Sequence, residues 1–178
     1  MNNAQRLTTI EILEKLVSFN TVSRNSNLKL IDFVDDYLNS FGIKTFRAFD
    51  DTKQKAAIYA HIGPNCSGGI VLSGHSDVVP VDGQEWTTDP FVLSKKGDKF
   101  FGRGTCDMKG FIACVLSAIP RMLEVELSKP IQVAISYDEE VGCLGAPNMI
   151  KSMQSSLPIA DLVIVGEPTL MKVVNSHK

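Results

Sequence analysis

The chain has 178 residues, 44% of them hydrophobic, with 18 basic against 20 acidic side chains and a formal net charge of −2. That length predicts one domain with a substantial core, and a near-balanced charge without a Lys/Arg-rich run excludes nucleic acid or an anionic membrane as the main partner. No apolar stretch approaches the roughly 18 residues of a membrane-spanning helix, and charges thread the N-terminal MNNAQRLTTIEILEKL, unlike a signal peptide, so a soluble, cytoplasmic protein is expected.

Helices and strands alternate along the chain. Thr8 with Glu11 forms a capping-box pattern, followed by Ile10, Leu13, Leu16 and Val17 at helical spacing. A second helix is predicted from Ile31, Val34, Leu38 and Phe41, with Gly42 as its stop. Residues 43–49 and 56–62 read as strands, and 69–74 is a compact apolar run suited to a sheet covered on both faces. Phe91–Leu93 and Lys99–Phe101 read as a hairpin around Lys-Lys-Gly-Asp. Met108–Leu123 suits a helix that Pro120 should end or kink. Ile131–Tyr137 is a strand, Pro147 opens the next helix at its first position, and Leu162–Val165 is a further buried strand. The pattern is α/β, with a mostly parallel sheet between helical layers. The four cysteines show no C-x-x-C pair and fit a reducing compartment, as small half-buried side chains. Cys106 and Cys143 stand beside candidate ligands, which leaves a thiolate ligand open.

Five imidazole or acidic side chains come just after apolar runs: His75, Asp107, Glu139, Glu140 and Glu167. Parallel strands deliver the residues at their C-terminal ends to one crevice. One imidazole and four carboxylates there suit a divalent metal, above all two zinc ions sharing a carboxylate. In His75-Ser76-Asp77 the outer residues share a face on extended backbone, so the Asp77 carboxylate can hydrogen-bond the second ring nitrogen of His75 and fix its tautomer. Asp107 comes after the glycine-rich turn 102–106, and helix capping alone would account for it. That turn is not G-x-G-x-x-G, so a dinucleotide fold is unsupported. Lys109 reads as a surface or capping lysine and Arg103 as a turn residue. Asp138-Glu139-Glu140 would usually be a solvated acidic turn, yet Val-Gly-Cys-Leu-Gly comes next, which is not linker-like. Neighbouring carboxylates point different ways, so one can bind metal while the other serves as general base. Glu167, held by Pro168, would be a loop acid if it stood alone.

Taken together, SGHSDVVPVDG, GRGTCDMKGFIA, SYDEEVGCLGA and VGEPT resemble, in order and spacing, the motifs of the dinuclear-zinc M20 family of peptidases and deacylases. The resemblance implies a three-layer α/β/α, zinc-dependent exopeptidase-like fold with a mostly parallel mixed sheet. It implies that His75 and Glu167 bind the first zinc, Glu140 the second, and Asp107 both, with a cis peptide after Asp107. Asp77 would orient His75, and Glu139 would act as general base on a water whose pKa is lowered towards about 7. Cobalt is expected to substitute for zinc.

The wording GTCDMKGF and SYDEEVGCLGA is most like the family's deacetylases of small N-acyl amino acids. Desuccinylase, aminoacylase and dipeptidase reactions are the alternatives, and an inactive metal-binding fragment is a reading of another class. The resemblance also implies a longer, homodimeric protein of which residues 1–178 are the N-terminal part of the catalytic domain. A lid domain and a second catalytic segment would carry two further site histidines. His61 is expected to pack at a strand end, and His177 to match the approach to the lid, so neither replaces them.

Overall fold

The computed structural model describes residues 5–175, which leaves His177 outside it. Helix α1 (Thr9–Ser18) begins where the sequence places it, because Glu11 N–H donates to Thr8 Oγ1 and Thr8 N–H donates to Glu11 Oε2. Its buried stripe is Ile12, Leu13, Leu16 and Val17, while Ile10, expected on that stripe, is 48% exposed. Helix α2 (Leu28–Ser40) buries Leu30, Ile31, Val34, Tyr37 and Leu38, and Gly42 ends it at φ +76°.

Strands β1 (Thr45–Phe49) and β2 (Ala56–Ile62) pair antiparallel, and β3 (Ile70–His75) comes next. The hairpin is shifted from its expected register. Its strands are β4 (Ser94–Lys96) and β5 (Lys99–Phe101), and Phe91–Leu93 lies before them. Gly97, at φ +64°, opens the two-residue turn with Asp98, which draws both lysines into the first strand. Helix α3 (Lys109–Met122) runs through Pro120 and ends at Leu123, so the proline sits within the last turn. So close to the end, its missing N–H removes a single helical bond. Strand β6 (Ile131–Ser136), helix α4 (Ala146–Ser156) with Pro147 at its second position, and β7 (Leu162–Val165) complete the order.

The five-stranded sheet runs β1-β2-β6-β3-β7. Strands β6, β3 and β7 are mutually parallel, and β2 is antiparallel to both β6 and β1. Four strands therefore share one direction and β2 opposes them. Alternation along β2 sorts the core into two layers. Ala56, Ile58, Ala60 and Ile62 face α1, α2 and α3, while Ala57 and Tyr59 face Met149 of α4. The α/β/α layering results.

Strand β7 departs from the expected buried strand. Leu162, Val163, Ile164 and Val165 are 42–56% exposed, because β7 is the sheet border and the described residues cover neither of its faces fully. An apolar groove of about 390 Å³ continues from it between the sheet and α4, lined by Val71, Ala134, Met149, Met153 and Val163. No helix among the described residues is long and apolar enough to cross a membrane.

Candidate metal centre

The three adjacent parallel strands end on the same side of the sheet. His75 closes β3, Glu139 and Glu140 lie just past the end of β6, and Glu167 lies just past the end of β7. Asp107 arrives from the turn before α3, which packs over β3. His75 Nε2 lies 3.1 Å from Asp107 Oδ1, 3.7 Å from Glu167 Oε1 and 3.9 Å from Glu139 Oε2. Two overlapping sets, His75–Asp107–Glu140 and His75–Glu139–Glu167, each place one donor atom per residue within 4.8 Å of the others. All five candidates converge, and the imidazole belongs to both sets.

Two glycines make this convergence possible. A Cβ on Gly110 would sit 2.3 Å from Thr105 O, so only glycine lets α3 start tucked under the turn that bears Asp107. A Cβ on Gly166 would meet the Phe111 ring at 2.0 Å, so glycine also lets the exit of β7 press against α3 and bring in Glu167. Asp107 does not cap that helix: the N-cap is Met108, which makes no side-chain cap bond. Its carboxylate turns to His75 instead, and the Asp107–Met108 peptide is cis.

His75 is almost fully buried, and its Nδ1 lies 2.9 Å from the main-chain oxygen of Asp77 and 3.5 Å from the Asp77 carboxylate. Nδ1 thus faces both the main-chain oxygen and the carboxylate of Asp77, the side chain to which the sequence points. An Nδ1–H donated there leaves Nε2 facing the carboxylates. The buried Asp77 carboxylate does more than expected. It accepts from Ser23 Oγ at 2.7 Å, from Glu139 N–H at 3.0 Å and from Glu140 N–H at 3.3 Å. One carboxylate thus ties the imidazole strand to the backbone of both glutamates.

Charge in the cluster is unbalanced towards the negative. Burial would lower the His75 pKa, but the Asp77 hydrogen bond and the charges of Asp77, Glu167 and Glu139 outweigh it and raise it to about 9. Burial and the neighbouring Asp107 carboxylate push Glu140 up; burial, with Asp107 and Glu139, does the same to Glu167 against the pull of His75. Asp77 is held low, because its hydrogen bonds from His75, Ser23 and Glu139 overcome the burial that would raise it. A divalent cation is what such a group lacks, and mixed imidazole and carboxylate oxygen donors suit one. The fit has a proton cost: the carboxylates that raise the His75 pKa favour the imidazolium, and the ring must be neutral to ligate. Metal uptake near neutral pH is therefore expected to release protons, with affinity weakening as the pH falls. Calorimetric titration in buffers of different ionisation enthalpy checks this, and affinity that stays constant as the pH falls through the imidazole range would place His75 outside the ligand set.

Two sequence readings change here. Lys109 is no surface lysine: it is fully buried, its Nζ donates to Phe19 O at 2.8 Å, and burial pushes its pKa down to about 7 against the pull of Asp77. Cys106, Cys114 and Cys143 are exposed rather than half-buried, and no cysteine among the described residues joins a metal-capable set. Other readings hold. Asp138 is only 8% exposed, in keeping with a triplet that is not an ordinary solvated turn. All four cysteines are free, and His61 packs near the end of β2 with Nε2 3.0 Å from Pro64 O. Arg103 braces its turn, donating to Pro80 O and lying 5.2 Å over the Trp86 ring. A cleft of about 240 Å³, lined by Val79, Thr105, Cys106, Asp107 and Glu140 among others, opens beside the cluster.

Known proteins are similar to this chain in sequence and fold. Residues 71–176 match the model of peptidase family M20/M25/M40. Acetylornithine deacetylase of Buchnera aphidicola subsp. Acyrthosiphon pisum (strain Tuc7) is 37% identical over 177 residues, covering 95% of this chain and 45% of that protein. Acetylornithine deacetylase of Pasteurella multocida (strain Pm70) is 39% identical over 154 residues, covering 86% and 39%. Among solved structures, an M20 family metallo-carboxypeptidase, Sso-CP2 from Sulfolobus solfataricus, superposes with a TM-score of 0.74 at 25% identity, over 89% of this chain and 37% of that one. The chain spans about half the length of the curated relatives it matches, 45% in the first case.

Proposed function

Given that the chain belongs to peptidase family M20/M25/M40, we propose that it forms the N-terminal, metal-holding part of a zinc-dependent amide hydrolase that converts N-acetyl-L-ornithine to L-ornithine and acetate. The observation that carries this reading is the convergence of His75, Glu139, Glu140 and Glu167, from the ends of three adjacent parallel strands, with Asp107, from the turn before α3. The substrate assignment is supported by 34–39% identity to several acetylornithine deacetylases.

In this reading His75, Asp107, Glu140 and Glu167 hold the metal. Zinc is the ion the donor set favours, and cobalt can replace it. When bound, such an ion supplies Lewis acidity to a carbonyl oxygen and makes a nearby water easier to deprotonate. Glu139 takes the proton of the attacking water as its oxygen bonds to the acetyl carbon. The same carboxyl returns the proton to nitrogen as the C–N bond breaks, so acetate and a free amine leave. Asp77 keeps Glu139 and His75 in fixed relation through its bonds to both segments. The cleft beside Asp107 and Glu140 lies where an acyl amino acid can reach the reacting centre.

The wider proposal is cytoplasmic arginine biosynthesis by a homodimeric whole protein that binds neither nucleic acid nor membrane. Four unpaired cysteines support a reducing compartment, and the dimer and pathway rest on the motif resemblance. Zinc titration together with turnover of N-acetylornithine, N-succinyl-diaminopimelate and a dipeptide tests the reading. Metal uptake and preference for N-acetylornithine are expected. Preference for either other substrate reassigns the specificity, and a chain that binds no divalent metal refutes the proposal.

A further inference from the structure

We propose that Lys55 and Ser23 are positioning residues of this metal centre, setting the direction in which Glu139 and Glu140 leave β6. The inference rests on the metal-centre reading above and extends it to two residues that touch no candidate donor.

The carboxylate pair comes directly after Asp138, whose backbone is left-handed at φ +56°. That conformation is uncommon for a residue with a Cβ, though less so for Asp than for most, and the surroundings help to select it. They do so through Lys55, which stands immediately before β2. Lys55 Nζ donates to both Asp138 oxygens, at 2.6 and 2.7 Å, and to Ser23 O at 2.6 Å. The pair is largely shielded from solvent, with side-chain exposures of 19% and 12%.

Ser23 carries the same line onward. Its hydroxyl donates to Asp77 Oδ2, the oxygen that also accepts Glu140 N–H. Asp77 Oδ1 accepts Glu139 N–H. The backbone on both sides of the turn is therefore held: Asp138 from the Lys55 side, and Glu139 and Glu140 from the Asp77 side. Leu144 N–H and Cys143 N–H close the turn behind them on Asp138 O and Glu139 O. A turn fixed at both ends by charge-assisted bonds determines where two successive side chains point. Without Lys55, a shielded carboxylate loses its counter-charge and the turn relaxes. Glu139 and Glu140 then leave the positions that bring them to His75.

Cobalt(II) titration of the chain, monitored by its visible d–d spectrum, tests this. Lys55→Met is expected to weaken cobalt binding about 10–100-fold, the usual effect of losing a residue that orients ligands, and to change the spectrum. Lys55→Arg, which keeps the charge and donors, is expected to retain the parental spectrum; a general packing role would not be rescued this way. Parental affinity and spectrum in Lys55→Met overturn the proposal. If that variant does not fold, Ser23→Ala decides: it removes one hydroxyl, and a parental spectrum there overturns the proposal equally. A parent chain that takes up no cobalt overturns the metal-centre reading itself and this inference with it, before any variant is compared.

Discussion

Glu139→Gln is expected to leave metal affinity within a few-fold of the parent while lowering kcat about 10²–10⁴-fold, the range of a lost general base. Glu139 and Glu140 are consecutive, and their N–H groups bond the two oxygens of Asp77, so their side chains diverge from a common anchor. Glu140 groups with His75 and Asp107, whereas Glu139 sits 3.9 Å from His75 and groups with Glu167. Glutamine keeps the shape and the Glu139 main-chain bond but cannot accept a proton. Kinetics on a form of the protein that turns over N-acetylornithine, with metal content measured on the same sample, separates the two roles. Loss of metal in Glu139→Gln would make Glu139 a ligand, with the His75–Glu139–Glu167 set as the real site.

Asp107→Asn is expected to weaken metal binding by more than about 100-fold, exceeding the effect typical of an outer-shell residue. This substitution isolates ligation from folding. The Asp107 side chain is 45% exposed, does not cap α3, and approaches His75 Nε2 at 3.1 Å. Asparagine preserves volume and removes the charge, so the metal-free chain should melt as the parent does. His75→Ala would be a poorer choice, because removing a buried ring deprives Asp77 of a partner and damages the fold as well. Equilibrium dialysis against zinc gives the affinity. Parental uptake in Asp107→Asn would remove Asp107 from the ligand set.

Features set by near neighbours are legible in the sequence. The Thr8–Glu11 box is a four-residue device, and α1 starts where it says. Strand β2 has the bounds its composition suggests, and Leu162–Val165 is a strand. The site acids are legible for a related reason, since each stands directly after a strand or a glycine turn. What a strand end cannot announce is its tertiary company. A Leu-Val-Ile-Val run shows that β7 is apolar but not that it lies at the border of the sheet. Lys109 looks like any lysine in the first turn of a helix until α3 docks and seals it against Phe19 O. Asp138 and Lys55 are 83 positions apart, and only the folded sheet shows that the acidic triplet has a cation of its own. The hairpin slips because Gly97 supplies a tight turn, which outweighs the preference of Phe91–Leu93 for a strand.

The bare border of β7 has a consequence for the behaviour of the chain in solution. One side of that strand is laddered to β3, and the other offers amide and carbonyl groups with no strand opposite them among the described residues. Main-chain groups of this kind accept an incoming extended peptide with little regard for its side chains, and the apolar groove alongside adds a reward for contact. An extended segment that adds to this sheet is therefore expected to do so at this rim.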